Sequence, residues 1–345
     1  MINKEKIFLT KKPKISAVIP CHNCQKYILR AIRSIQNQNF SDFEIIIAND
    51  FSTDNTLAYL KKLKNEDSRI RIINNKKNMG TLYTRTIGSL SANGKYIYPI
   101  DSDDMFLDSD IFYVITNIAE KSNFDITIFN SINAIISSNG NINNIWIPHF
   151  ERRHKPNLIL TQPELGYYPI QPSENYKEVY YYEVYIFAKC IKTSIYKKAF
   201  NKLGIERYSR HMILDEDLIA NYILFNTAEI LKYIPKFGYL YIDRPGSGSK
   251  HYWNDITLLL YKIYVLDDII EFAKDVPKNK RILVYYIIHF LQLKFLKTAL
   301  NKSHYINKIF NSCLDRILNC KYISEEDKNK IRIFGKGLDF INYKF

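Results

Sequence analysis

The 345-residue sequence predicts an α/β fold in which a mostly parallel sheet is flanked by helices. Short apolar runs alternate with amphipathic segments of helical length over the first hundred residues, and only short links join them. Such alternation favours parallel strands joined by right-handed crossovers. Polar and acidic residues directly follow several of the apolar runs. Because ligands in such sheets bind at the carboxyl ends of the strands, we expect the functional site there.

The first half of the fold can be assigned element by element. Strands are predicted, in order, at 15–19, 43–48, 70–73 and 95–100. Helices are predicted between them at 25–37, 54–64 and 82–91. The first helix repeats isoleucines on one face, and Asp54 stands where an acceptor would cap the start of the second helix.

The pattern loosens between residues 130 and 210, which contain five prolines and a tyrosine cluster over 167–185. We predict a long irregular excursion that covers the substrate rather than a second regular sheet. The tyrosines could stack on acceptor sugars or simply pack, and both readings stay open. Order returns over 186–200, with a helix near 218–225 and a strand at 237–242. The remainder of the chain is predicted to be helical and basic.

Composition limits the class of protein. A hydrophobic content of 46% predicts a globular chain, and the net charge of +14 favours an anionic partner: a nucleotide, a nucleic acid or an anionic membrane surface. The first 14 residues are charged and lack an apolar core, so we expect no signal peptide. No apolar run is long enough to predict a spanning helix, the best candidate being 282–296. A cytoplasmic protein is predicted, and peripheral contact with the cytoplasmic face of a membrane stays open.

The five cysteines form no regular framework, which favours a reducing compartment. Cys21 and Cys24 form a CxxC pair between a predicted strand and a predicted helix, as thioredoxin-like redox sites do. Pro20 precedes the pair and no second redox signature accompanies it. We therefore interpret these cysteines as ordinary thiols and keep redox activity as the alternative.

The acidic run after the fourth predicted strand is the most informative feature of the chain. Asp101, Asp103 and Asp104 follow the apolar run 96–100. Crowded carboxylates repel one another unless positive charge lies among them, and their hard oxygens suit Mg²⁺ or Mn²⁺ held together with ligand phosphates. Asp50 follows a second strand, so the two acidic strand ends should face one cleft. The alternative is a solvated acidic turn.

Residues 14 to about 250 resemble the family 2 glycosyltransferases, which have the GT-A fold, a Rossmann-like sheet flanked by helices. The motifs that carry the resemblance are, in order, IPCHN, ANDFSTDNT, NNKKNMGTLYTRTIG, ANGKYIYPIDSDD and LDEDL. The resemblance implies a GT-A domain over 14–250, with a nucleotide-sugar half at 14–125 and an acceptor half at 126–250. A basic helical region would then occupy 251–345. Within the family the chain looks closest to enzymes that move hexose or N-acetylhexosamine units onto surface glycans.

The resemblance also implies an activity. It is the metal-dependent transfer of a sugar, with inversion, from a UDP-sugar to a hydroxyl of a glycan, lipid-linked or protein-linked acceptor, with Mn²⁺ or Mg²⁺ as cofactor. Asp103 matches the direct metal ligand. Asp101 would contact the metal through water or the donor itself, Asp104 would orient the sugar, and Asp50 would hydrogen-bond the base.

Further positions match donor-binding residues of the family. Pro20 and Asn23 lie in a loop that commonly lines the nucleotide pocket, and Arg85 matches an arginine near the donor. Its planar guanidinium suits phosphate, although a salt bridge that holds an acidic loop is equally compatible. Arg244 resembles part of a late loop that can fold over the diphosphate.

The LDEDL motif matches the acidic motif that supplies the catalytic base. We assign the base to Asp217 and keep Glu216 as the second candidate. The alternative is that these acids only favour the amino end of a helix.

The chain departs from the family pattern at Phe51, where relatives usually have glycine, and this predicts a remodelled turn. None of the departures removes a carboxylate that the reaction needs. The competing interpretations are a catalytically inactive protein that binds nucleotide sugars or carbohydrate, and a basic nucleic-acid-binding protein. The chain lacks a nucleic-acid-binding motif, so we expect no nucleic-acid partner.

Overall fold

The computed structural model describes residues 12–137, 142–147, 158–162, 170–172, 179–181, 185–212, 216–244, 256–273, 304–319, 323–326, 328–329 and 332. The chain divides into two compact units. The first comprises Met1–Leu160, Ile186–His211 and Ile230–Pro245, and the second comprises Thr161–Tyr185, Met212–Glu229 and Gly246–Phe345. The predicted boundaries at 125 and 250 stay predictions.

The predicted alternation of strand and helix is confirmed. The elements are β1 (Ile15–Cys21), α1 (Ile28–Gln36), β2 (Phe43–Asn49), α2 (Thr56–Glu66), β3 (Ile70–Asn74), α3 (Thr81–Leu90) and β4 (Tyr96–Pro99). Every residue of β1 and β2 is buried, as expected for central parallel strands covered on both faces. Helix α2 begins two residues later than predicted, because the Asp54 carboxylate accepts a hydrogen bond from the Thr56 amide (2.9 Å) ahead of the first turn.

The first unit continues through further strands and helices. They are β5 (Met105–Phe106), α4 (Ile111–Lys121), β6 (Ile126–Ile136), β7 (Ile142–Trp146), β11 (Lys189–Lys192), α5 (Thr193–Leu203), α6 (Ile205–Tyr208) and β12 (Ile230–Asp243). Between β7 and β11 the chain forms three short strands, β8 (Ile159–Thr161), β9 (Ile170–Pro172) and β10 (Val179–Tyr181), of which β9 and β10 pair with each other and belong to the second unit.

The main sheet has the strand order β3-β2-β1-β4-β11-β6-β12-β5. Strands β1, β2, β3 and β4 are parallel to one another, as are β6 and β12, whereas β11 runs antiparallel to its neighbours β4 and β6. The α/β fold with a mostly parallel sheet is therefore confirmed. Irregular structure was expected from residue 130 onwards, but β6 continues within the sheet to Ile136.

Close helix–sheet packing brings α3 against the central strands. A Cβ atom at Gly88 would lie 2.8 Å from Cγ1 of Val18, so only glycine allows this approach without displacement. On another part of the sheet, Tyr98 and Phe106 pack around Phe112 with ring centroids 4.8 and 5.0 Å from it. The close packing at Gly88 holds α3 along the sheet, so that the amino end of α3 lies beside the carboxyl ends of β1 and β2.

The described part of the second unit is mainly helical. Helices α7 (Glu216–Thr227), α8 (Ile256–Ala273) and α9 (His304–Leu318) belong to it. Arg316 of α9 pairs with Asp267 and, at 2.7 Å, with Glu271 of α8. Among the described residues, no helix is both long and apolar enough to cross a membrane. The segment 282–296 lies outside the described residues.

Candidate active site

The loops that follow β1, β2, β3 and β4 leave the sheet at one edge. Cys21 pairs with Asn49 and Asn49 pairs with Asn74, so the three strands end in register. The parallel strand β4 ends at Pro99, directly before the turn Asp101–Asp104. We call this side of the sheet the carboxyl edge. It carries Asp50 and the three aspartates of the turn.

Two carboxylates of the turn face solvent in part, and each is paired with an arginine. Asp101 Oδ1 accepts a hydrogen bond from Arg85 Nη2, and Asp103 Oδ2 accepts one from Arg244 Nε, both at 2.8 Å. The Asp101 and Asp103 side chains are 26% and 21% exposed. The Arg244 guanidinium also lies 4.2 Å above the centre of the Tyr27 ring. Positive charge therefore compensates both carboxylates.

The third carboxylate of the turn points inward. Asp104 is 1% exposed and accepts hydrogen bonds from the Tyr239 hydroxyl (2.7 Å) and the Ile242 amide (2.8 Å), both on β12. Burial, and then the charges of Asp103 and Asp101, raise the pKa of Asp104 well above its usual range. This side chain connects the turn to the sheet.

Crowding also affects Asp103. Burial raises the pKa of Asp103, and the charge of Asp101 raises it further, whereas Arg244 opposes the shift. Arg30 donates a hydrogen bond to the backbone carbonyl of Asp103 (2.7 Å), and burial lowers the pKa of this arginine. The turn thus gathers like charges in a partly desolvated place, which is a frequent property of functional sites.

The carboxylates fit a divalent cation only in part. Their hard oxygens suit Mg²⁺ or Mn²⁺. Within the part of the chain that the structure describes, however, no three or more His, Cys, Asp and Glu side chains are grouped so that they could hold a metal ion. The turn therefore fits an ion held by one or two carboxylates and completed by the phosphates of a ligand, the usual arrangement for Mg²⁺.

Asp50 lies at the end of β2 with its carboxylate directed into the loop before α3. Oδ1 accepts hydrogen bonds from the Met79 amide and the Asn75 side chain, and Oδ2 accepts one from the Gly80 amide, all at 2.8 Å. Gly80 has φ of 84°, which favours glycine. A carboxylate has about four acceptor positions, so roughly one remains for a ligand.

Asn23 connects the loops that follow β1 and β2. Its side-chain oxygen accepts a hydrogen bond from the Thr53 amide (2.8 Å), and its own amide donates to Ser52 Oγ (2.9 Å). Its φ of 49° lies in the left-handed region, which asparagine tolerates. Pro20 lies in β1 opposite Ala48.

His22 lies beside these loops in one tautomer. Nδ1 lies 2.7 Å from the Asp50 carbonyl oxygen, which can only accept, so Nδ1 carries the hydrogen. Nε2 lies 3.2 Å from the side-chain nitrogen Nδ2 of Asn23 and accepts a hydrogen bond from it.

Phe51 lies in the loop after β2, and the remodelled turn expected there stays a prediction. Its φ is 55°, the left-handed conformation that glycine adopts readily, and the residue is 49% exposed. A bulky residue rarely adopts this conformation. Phenylalanine therefore occupies a backbone conformation that glycine would adopt with less strain.

Cys21 and Cys24 are buried free thiols. A hydrogen bond with Cys24 and burial raise the pKa of Cys21 well above its usual range. Little reactive thiolate forms under such conditions, which favours the interpretation as ordinary thiols.

Glu216 and Asp217 occupy the first turn of α7, in the second unit. Glu216 is buried and Asp217 is partly exposed. Acids in the first turn also stabilise the helix, so this position agrees with both interpretations given above. Asp215, residues 245–251 and most of the tyrosine cluster at 167–185 lie outside the described residues.

The sequence did not single out several residues that contact the turn. Tyr239 accepts a hydrogen bond from the Asp101 amide (3.1 Å), Arg30 binds the Asp103 carbonyl, and Tyr27 lies under Arg244. Tyr239 is one of 27 tyrosines, and nothing in its local sequence distinguishes it. Its contact to residue 101 depends on the order of strands in the sheet.

Comparison with known proteins places this arrangement in context. Residues 16–182 match the family described as Glycosyl transferase family 2. An uncharacterized glycosyltransferase of Haemophilus influenzae is 38% identical over 124 residues, which are 36% of this chain and 38% of that protein. The GalNAc(5)-diNAcBac-PP-undecaprenol beta-1,3-glucosyltransferase of Campylobacter jejuni is 36% identical over 96 residues, covering 28% of this chain and 31% of that protein. The matches thus span about a third of each relative.

A solved structure shares the fold over most of the chain. The crystal structure of S. aureus TarS 1-349 in complex with UDP-GlcNAc superposes with a TM-score of 0.61 at 17% identity, covering 94% of this chain and 89% of that chain. At this identity the likeness concerns the fold alone. Residues 16–182 of the chain therefore resemble glycosyltransferase family 2, and the curated relatives and the sheet agree with that match.

Proposed function

We propose that this protein is a metal-dependent, inverting glycosyltransferase that moves a sugar from a UDP-sugar to a hydroxyl acceptor. The observation that carries the proposal is the turn at the carboxyl edge. It presents two partly exposed carboxylates, each held by an arginine, at the edge where α/β sheets bind ligands. The choice of UDP is supported by the TarS structures, one with UDP-GlcNAc and one with UDP.

The donor diphosphate needs positive charge beside the turn. In the proposal, Asp103 and Asp101 hold Mn²⁺ or Mg²⁺, which when bound would neutralise the charge that develops on the departing diphosphate. Arg244, released from Asp103, would contact the same diphosphate. Arg85 is buried against Asp101 and would keep that carboxylate oriented.

The nucleoside would lie over the loops after β1 and β2. Asp50 retains roughly one acceptor position, which suits a single N–H of the base, and Pro20 and Asn23 border the same edge. Asp104 was predicted to orient the sugar, and its burial instead favours holding the turn.

Asp217 is proposed as the base that removes the proton of the acceptor hydroxyl, with Glu216 as the second candidate. Direct displacement by the activated hydroxyl inverts the anomeric carbon. Asp217→Asn should lower turnover by about 10²- to 10⁴-fold and leave donor binding unchanged. If Glu216→Gln lowers turnover by this amount and Asp217→Asn stays active, Glu216 is the base instead.

The acceptor is proposed only by class. A glycan, lipid-linked or protein-linked hydroxyl is compatible with the site. The Campylobacter relative, whose name includes PP-undecaprenol, supports the lipid-linked class. Such an acceptor would bring the basic chain to an anionic membrane surface.

The test is release of UDP from a panel of UDP-sugars, with Mn²⁺ or with EDTA. We expect release from one sugar with Mn²⁺ and none with EDTA or in Asp103→Ala. Asp110→Ala is the matched control, because Asp110 lies a few residues further on and is exposed. Donor binding without release, even with acceptors supplied, would favour a catalytically inactive nucleotide-sugar-binding protein. Absence of metal-dependent donor binding would overturn the proposal.

A further inference from the structure

Tyr239 lies beneath the turn that carries the proposed metal ligands. Its hydroxyl accepts a hydrogen bond from the Asp101 amide (3.1 Å) and donates one to Asp104 Oδ2 (2.7 Å). The side chain is fully buried. One hydroxyl group therefore joins the first and last residues of the turn.

The ring of Tyr239 is itself held firmly. Phe187 stacks on it with ring centroids 4.5 Å apart and planes 3° apart, and Phe106 contacts it edge-on at 5.9 Å. The other oxygen of Asp104 accepts a hydrogen bond from the backbone amide of Ile242, which lies on β12 like Tyr239. The hydroxyl therefore has little freedom to move away from the turn.

The two sides of the turn differ in what they contact. On the exposed side, Arg244 binds one oxygen of Asp103, and a cation at that carboxylate would compete with this contact. On the buried side, Tyr239 binds a backbone amide and Asp104, neither of which a ligand would reach. The buried contacts can therefore persist when the exposed side is engaged.

We propose that Tyr239 is a positioning residue that holds the Asp101 and Asp103 carboxylates in place for a divalent cation and a nucleoside diphosphate. Asp104 then serves as the anchor of the turn. This inference rests on the proposed function, because it assumes that the turn binds metal and diphosphate.

The test compares Tyr239→Phe with Tyr233→Phe. Tyr233 lies on the same strand, is also buried, and donates its hydroxyl to Asn130, away from the turn. Each variant removes one buried phenol hydroxyl and keeps the ring. Binding of Mn²⁺ in the presence of UDP is followed by the electron paramagnetic resonance signal of free Mn²⁺. We expect about tenfold weaker binding in Tyr239→Phe and unchanged binding in Tyr233→Phe.

A second readout needs no metal. Hydrogen–deuterium exchange of the peptide that contains Asp101–Asp104 should be faster in Tyr239→Phe, because the Asp101 amide loses its acceptor. The same peptide should exchange at the wild-type rate in Tyr233→Phe. If Tyr239→Phe fails to fold, Asp104→Asn replaces it, because one of the two oxygens that accept from Tyr239 and Ile242 becomes a donating NH₂ group of similar size.

The outcomes separate this inference from the proposed function. Suppose that the wild type binds Mn²⁺ and UDP. If Tyr239→Phe binds them equally well, or if Tyr233→Phe weakens the binding as much as Tyr239→Phe does, the positioning role alone is overturned. Absence of binding in the wild type would overturn the proposed function and this role with it. Selective weakening and faster exchange in Tyr239→Phe would support both.

Discussion

At the amino ends of the strands, lysines lower the pKa of the glutamate that they pair with, whereas at the carboxyl edge the aspartates are crowded together as well as paired with arginines. Glu120 lies near Lys14 and Lys95, and their hydrogen bonds lower the pKa of Glu120. At the carboxyl edge, burial and neighbouring carboxylates raise the pKa of Asp103 and Asp104. A carboxylate thus stabilises the fold at one edge and is held at a cost at the other.

Positive φ values of residues other than glycine occur at both edges, because Asn123, just before β6, has a φ of 56°. Asn23 and Phe51, at the carboxyl edge, adopt positive φ values of 49° and 55°. Strain of this kind persists only where the surrounding structure imposes it, and it is frequent at functional sites. The comparison of the carboxylates teaches that the amino edge favours their charge and the carboxyl edge opposes it, as the proposed binding site would require.

Asp103→Asn should give the largest effect and separate activity from stability. We expect Mn²⁺-dependent UDP release to fall at least about 10²-fold. Because the pKa of Asp103 is raised in the folded state, its ionised form disfavours folding at neutral pH. Urea unfolding at pH 7 should therefore show the variant as stable as the wild type or more stable. A clear loss of stability would contradict the comparison.

Asp67→Asn should give the opposite result. Hydrogen bonds from Arg69 lower the pKa of Asp67 to about 2, below the usual value of the unfolded chain. A lowered pKa stabilises the fold above the unfolded pKa, and this stabilisation is lost as the pH falls towards the folded pKa. We expect a loss of about 1–2 kcal/mol at pH 7 after allowing for solvent screening.

The pH dependence checks this assignment. The difference between wild type and Asp67→Asn in urea unfolding should be constant from pH 7 to pH 5 and smaller at pH 3. UDP release at 25 °C should be unchanged. A difference that grows as the pH falls would contradict the role given to Asp67.

Phe51 allows the backbone strain to be measured. In the left-handed region a Cβ costs about 1 kcal/mol, so Phe51→Gly should be more stable than Phe51→Ala by about that amount. In ordinary backbone geometry the order is the reverse. Urea unfolding of the two variants at pH 7 gives the sign. Greater stability of the alanine variant would show that the loop carries no strain.

Glu120→Gln should have the smallest effect. Its partners Lys14 and Lys95 are partly exposed, so the two ion pairs together contribute about 0.5 kcal/mol. The loss should shrink in 0.5 M salt, since salt screens exposed charges. An effect that does not depend on salt would mean that Glu120 acts through packing.

The sequence predicted the first four strands because their buried faces leave nearly continuous apolar runs. It predicted the acidic strand ends because their residues are adjacent in the chain. It did not predict β6 beyond residue 130, since Asn130 and Ser131 interrupt the apolar pattern although both are buried. Asn130 is satisfied there by the Tyr233 hydroxyl, a partner about a hundred residues away.

The same limitation applies to the site. Arg85 and Asp101 are only 16 residues apart, and a single helix and the strand after it bring them together. A local sequence motif can therefore contain both. Tyr239 and Asp104 are separated by 135 residues and meet only because β12 lies beside β5 in the sheet. Contacts of this kind depend on topology, which local patterns do not encode.

The hydrogen bonds of Asp50 have a consequence for mutagenesis. Its carboxylate accepts two backbone amides, from Met79 and Gly80, as well as the Asn75 side chain. In Asp50→Asn, an NH₂ group would replace one of the two carboxylate oxygens. Because each oxygen accepts a backbone amide, at least one amide would lose its acceptor. Such a variant would disturb the path into α3, and with it the orientation of Arg85 towards Asp101. Substitution at this one position would therefore weaken both the nucleoside end and the phosphate end of the proposed donor site.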